Sequence, residues 1–92
     1  MTIETNIAAI LDERQKSHGA FSDHAAITQL IKQNMWSARS SIAWANLTDE
    51  HREALEMIAH KIGRILAGNP NINDHWDDIA GYAKLGSRAC SP

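Results

Sequence analysis

The chain contains no valine, and its apolar residues do not sustain an alternation at period two. Strands lean on β-branched residues and on that alternation, so strand signals are weak from the outset. The apolar residues recur instead at three and four positions, the spacing of one face of an α-helix. Ile3, Ile7, Ile10 and Leu11 form such a stripe and predict a first helix over about residues 3–17, with Thr2 as cap, Glu4 at the positive end of the dipole and Gly19 as stop. A second helix is expected from Ser22, as N-cap, to near Trp36, with Ile27, Leu30 and Ile31 on its apolar face and Met35 extending it.

Residues 37–47 read as a connector with one helical turn. Thr48-Asp49-Glu50 is the clearest helix start, a hydroxyl followed by two acids. Leu55, Ile58, Ala59, Ile62, Ile65 and Leu66 then keep helical period until Gly68. Asn69 to Asn73 is a turn-rich loop, and Asn73 caps a last helix over about 74–85 with Trp76, Ile79, Ala80 and Ala83 as its apolar face. The fold class is therefore all-α: a small bundle of about four helices in one domain, residues 1–85, followed by a loose tail, 86–92.

A chain of 92 residues buries a modest core, so oligomerisation is an expected source of stability. The net charge of −2 and the scattered basic residues give no general electrostatic grip on nucleic acid. The single cysteine, Cys90, provides neither an intrachain disulfide nor a metal cluster. No apolar stretch reaches the roughly 20 residues that span a bilayer. The acidic, amphipathic N-terminus lacks the basic start and cleavage site of a signal peptide, so a cytoplasmic location is expected.

Chemistry-bearing residues concentrate on the last two long helices. On a helical wheel Glu53, Glu56, His60 and Arg64 lie almost opposite Leu55, Ile58, Ile62, Ile65 and Leu66. That stripe is either a solvated face or the lining of a polar site or subunit interface. On the last helix Asp74 and Asp78 are one turn apart and repel, and Gly81 costs roughly 1 kcal/mol against alanine. Close helix packing is one reason for Gly81, and a divalent cation would offset the repulsion. Glu53-x-x-Glu56 and Asp74-x-x-Asp77 could together hold Mg²⁺ against a phosphate chain if neighbouring helices bring them together. His18 and His24 flank a turn and could offer donors to an anion, aided by the helix start at Ser22. Trp36, Trp44 and Trp76 read as core or interface residues. His51 and His60 do not form a zincin pattern, and no glycine-rich phosphate loop, GxSxG elbow or Cys–His nucleophile pattern is present.

The segments Ser17–His24, Arg52–Arg64 and Asp74–Lys84 resemble a family of short bacteriophage and prophage proteins of unknown function, and the last is the most distinctive. That family is distantly similar to the MazG-like all-α nucleoside triphosphate pyrophosphatases, which carry ExxE and then ExxD one helix later and use Mg²⁺. Glu53 and Glu56 match the first motif. The second departs, with Asp74 in place of its glutamate if Asp77 is the final acid, or His75 in that place if Asp78 is. The resemblance implies a phage-encoded, oligomeric helical protein in the cytoplasm of an infected bacterial cell.

The resulting expectation is a homo-oligomer that binds a nucleotide or nucleotide-derived ligand at a subunit junction without turnover, and so could sequester a host defence signal. His60, Lys61 and Arg64 would contact phosphate, and a tryptophan or Tyr82 would stack on a base. No residue is assigned a catalytic role. The alternatives are a Mg²⁺-dependent pyrophosphatase, with Glu53, Glu56, Asp74, Asp77 and Asp78 as metal ligands, and an inhibitor that docks on a host defence protein. Neither a membrane nor nucleic acid in general is an expected partner.

Overall fold

The computed structural model describes residues 3–91, and among these there is no strand. Four long helices, α1 (Ile3–His18), α2 (Phe21–Trp36), α4 (Asp49–Ala67) and α5 (Asn73–Arg88), are joined by one short helix, α3 (Ile42–Ala45). The all-helical expectation holds, and α3 is the helical turn foreseen in the connector. Thr2 and the side chain of Glu4 lie outside the described residues. No helix among those described is long and apolar enough to cross a membrane.

The helix ends follow local chemistry. The Thr48 hydroxyl accepts from the His51 backbone N–H at 3.1 Å, and His51 Nδ1 accepts from the Thr48 N–H at 3.3 Å, a capping box with histidine in the usual glutamate position. The hydroxyl of Ser41 caps α3 by accepting from the Trp44 N–H at 3.0 Å. Two expected caps are corrected: α2 starts one residue before Ser22, with Ala20 at its N-cap, and α5 starts at Asn73, with Ile72 there. The last helix also outlasts its expected end at Leu85. It runs through Arg88, and Ala89 and Cys90 still hydrogen-bond back to it, so the stretch from Gly86 begins as helix rather than as a loose tail.

α4 is the central element. α2 packs along one side of it and α5 along another, while α1 touches α2 and α4 lightly. Contact with α2 is closest at Gly63, where a Cβ would collide with the Thr28 hydroxyl and come within 3.2 Å of the His24 carbonyl oxygen. Contact with α5 runs past Ala54, whose Cβ lies 3.7 Å from where a side chain on Gly86 would begin. It is pinned by Lys61, whose buried Nζ lies 2.7 Å from Asp78 Oδ2.

Small and polar residues thus occupy the crossings, and the helices turn differently from the apolar-stripe expectation. On α2 the buried positions are His24 and Thr28, and Leu30 faces solvent. On α4 only Ala59 and Ile65 of the stripe are buried, while Leu55 and Leu66 are 41% and 65% exposed. α5 turns His75, Ile79, Tyr82 and Gly86 inward, leaving Trp76, Ala80 and Ala83 exposed. None of the three tryptophans is buried: Trp36 and Trp76 are exposed and Trp44 is half-buried. Among the described residues the buried apolar core is Ala54, Ala59 and Ile65.

The shape reflects this thin core. The radius of gyration is 15.8 Å, against about 12 Å for a compact domain of this length. The accessible surface is 6744 Å², against about 5,300 Å² for a folded monomer of this mass.

Gly63 and Gly81 separate cleanly. Gly81, read from the sequence as a packing glycine, has nothing within 4 Å of where a Cβ would stand, so close packing within the chain does not explain it. Gly63→Ala should lower stability by about 1–3 kcal/mol through overpacking, whereas Gly81→Ala should leave it unchanged or raise it by up to about 1 kcal/mol. Urea or thermal unfolding followed by circular dichroism reads both, and equal effects from the two substitutions would refute this account of the crossing.

Candidate functional site

The site begins with a backbone contact. Gly19 ends α1 at a φ of +78°, a left-handed conformation that suits glycine, and its N–H donates to the Gln15 carbonyl at 2.9 Å. A Cβ on Gly19 would strike the Ala67 carbonyl, and one on Gly68 would stand 2.7 Å from the Gly19 nitrogen. The turn after α1 therefore lies directly on the end of α4. Across this contact the Ser17 carbonyl, left open at the end of its helix, accepts from the Asn69 N–H at 3.2 Å and lies 3.3 Å from the buried His75 Nε2. Its acceptor role makes His75 Nε2 the donor. His18 meets the His75 ring edge-on at 4.8 Å.

This anchoring brings three helix ends around one cavity of about 350 Å³. α1 contributes Arg14 and His18, one turn apart; α2 contributes Phe21 and His24; α4 contributes His60 and Arg64, again one turn apart. His24 and His60 meet edge to face at 4.5 Å. Two guanidinium groups and three imidazoles thus converge, and among the described residues no carboxylate lines the cavity.

The charges follow from the geometry. Burial, reinforced by the Arg64 guanidinium, pushes His60 down to about 4, so its ring is neutral at pH 7. Burial also lowers His18 and His24, again with Arg64 as the next cause. Arg64 itself is drawn below its ordinary value by burial and by Arg14, while Asp78 and Tyr82 act in the opposite sense. The His24 Nδ1 and Thr28 Oγ1 atoms are buried without a hydrogen-bond partner beside the Gly63 crossing. Such a cavity is a preformed region of positive potential, suited to phosphate or another compact polyanion.

Of the residues expected to bind ligand, His60 and Arg64 line this cavity. Lys61 is elsewhere: its ammonium is buried and engaged by Asp78. Tyr82 lines a separate groove along α5 with Asp77 and Asp78. The carboxylates expected to share a metal are divided. Glu56 lies on the α2 side of α4, 3.8 Å from Lys32 Nζ, whereas Asp78 meets α4 from the α5 side. Glu53, Asp74 and Asp77 are exposed. Among the described residues no group of three or more histidine, cysteine or acidic side chains is placed to hold a metal ion. The helix start at Ser22 contributes no side-chain cap.

Sequence reading placed His18 and His24 at a possible anion site but missed Arg14. Its signal was the four-residue spacing to His18, which sets both on one face just before Gly19.

No match was found among curated proteins or among solved structures. A family model for a domain of unknown function, DUF6378, matches residues 2–90, and the chain belongs to that family.

Proposed function

We propose that the protein is a homo-oligomer that captures a nucleotide-type ligand by its phosphates in the cavity between α1, α2 and α4. The observation that carries this reading is the convergence of Arg14, Arg64, His18, His24 and His60 on a lining that, among the described residues, holds no carboxylate. Guanidinium groups match phosphate oxygens with paired donors, and neutral imidazoles add further N–H donors. Capture without turnover would suit sequestration of a signalling nucleotide, the role suggested by the resemblance to short phage proteins.

The test is calorimetric titration with inorganic pyrophosphate and with nucleoside diphosphates. Arg14→Gln, at an exposed position whose loss spares the core, should weaken binding about tenfold to a hundredfold, the effect of a lost charge-assisted hydrogen bond. Arg64→Gln should do the same. Unchanged affinity in both variants would overturn the cavity as the phosphate site.

The oligomer is supported by surface area. The excess over a compact monomer is on the order of 1,400 Å², and a standard interface takes about 800 Å² per partner. The apolar stripe of α1, with Ile3, Ile7 and Ile10 exposed, is an uncovered helix face, and Leu11 at its end borders the cavity. A second copy seated there would wall the cavity and exclude water. Light scattering after size exclusion should show a dimer or larger species, and Ile7→Glu with Ile10→Glu should reduce it to monomer. A monomeric native protein at micromolar concentration would refute this part.

The imidazoles also set a pH dependence. His60 binds its proton at about 4 in the fold and near 6.5 when unfolded, and His18 and His24 shift in the same direction. Between pH 6.5 and 4 the unfolded chain therefore binds more protons, and stability falls as pH falls. An anion in the cavity opposes this by favouring the charged rings. The melting temperature should drop on going from pH 7 to pH 5, and sulfate, which does not titrate there, should reduce the drop at constant ionic strength. A drop that sulfate leaves unaltered would show that the imidazoles do not face the anion.

A further inference from the structure

The cationic cavity lies at one end of a longer stripe. On α4, Arg64, His60, Glu56 and Arg52 follow one another at four-residue spacing. Along antiparallel α2 they are met in turn: His24 lies against His60, and Lys32 against Glu56. Lys32 links the two ends, because its charge reaches His60 as well as Glu56. Beyond it the stripe opens into a second cleft, of about 230 Å³, between the end of α2, the short helix α3 and the start of α4.

The chemistry of this cleft is different. Trp36 and Trp44 meet edge to face at 5.6 Å and 83°. The Arg52 guanidinium lies over Trp44, 5.4 Å from the ring centre, and Arg39 lies over Trp36 at the same distance. Arg52 Nε is buried and has no hydrogen-bond partner. A buried donor without an acceptor is costly and rare, so it marks a place where an acceptor belongs. The Glu56 carboxylate, held only loosely by Lys32, supplies an acceptor on the same wall.

We infer that this cleft is a base subsite: it takes the nucleobase of the ligand whose phosphates occupy the cationic cavity. The inference rests on the phosphate reading of that cavity. The base stacks on the indole of Trp44, sets a ring nitrogen or carbonyl acceptor toward Arg52 Nε and directs an exocyclic amine to Glu56. The class of ligand is thus an amine-bearing nucleotide (adenine, guanine or cytosine) rather than a uracil one. Eight residues separate the middle of the Arg64–His60 pair from that of the Glu56–Arg52 pair, about 12 Å along the helix. That separation suits a nucleoside carrying more than one phosphate.

The experiment compares inorganic pyrophosphate with adenosine, guanosine, cytidine and uridine diphosphates on the full chain. At least one amine-bearing diphosphate should bind about tenfold or more tightly than pyrophosphate, the usual return from stacking one base on an aromatic ring, and should quench tryptophan fluorescence where pyrophosphate does not. Trp44→Leu should erase that gain without weakening pyrophosphate. Glu56→Gln, which leaves the indoles in place, should abolish the preference over uridine diphosphate. Equal binding of pyrophosphate and every nucleotide overturns the base subsite while the phosphate cavity stands. A gain that survives Trp44→Leu overturns it too and leaves the tryptophans to a protein partner. Failure of pyrophosphate to bind, with a Trp44-dependent nucleotide signal retained, overturns the phosphate cavity and keeps the base subsite.

Discussion

The fold depends on one place where backbone lies on backbone. Gly19 and Gly68 meet without side chains between them, and a methyl group on either would collide with the backbone opposite. That approach lets the Ser17 carbonyl find partners in Asn69 and His75, so the end of α1, the end of α4 and the start of α5 are tied at one point. Arg14 and His18 reach the cavity only because α1 leaves this point at a fixed angle. Burial of the rings among these helix ends is the first cause of the low imidazole affinities for protons.

The second determinant is the central position of α4. A helix with neighbours on two sides has no simple inner and outer face. Its polar stripe is half covered by α2, which turns His60 and Arg64 from surface groups into cavity walls, while Leu55 and Leu66 remain open. Close crossings at glycine, alanine and threonine hold the helices near one another but bury little apolar area. The large side chains displaced from those crossings form the outer surface, which is why this chain presents so much of it.

Much of the fold was legible because helix ends are written locally. Thr48 with its two following acids, Gly19 and Gly68 each act through hydrogen bonds or dihedral preferences within a turn of their own position, and each stands where its chemistry predicts. Helix orientation was less legible. An apolar stripe marks what is able to be buried, yet α2 packs through His24 and Thr28 because Gly63 permits it. Gly63 and Gly81 look alike in sequence, and only the neighbour across the helix distinguishes them. In the site, His60 and Arg64 were visible as a spaced pair. Arg14 forms a spaced pair with His18 as well, but its arrival beside Arg64 depends on the angle at which α1 departs. Lys61 was assigned to the ligand since its paired acid, Asp78, lies on another helix, beyond the reach of spacing arguments.

The pairing of buried Lys61 with the exposed carboxylate of Asp78 has a consequence for alignment. Two helices joined only by aliphatic contacts can slide by a turn and find nearly equivalent packing. A buried ammonium cannot, because a one-turn slip would carry Asp78 out of reach and strand the charge. The pair therefore works as a notch that fixes how far α5 advances along α4. By setting that advance it also sets His75 under the Ser17 carbonyl and against His18, so the register of α5 on α4 carries through to a residue that lines the cavity.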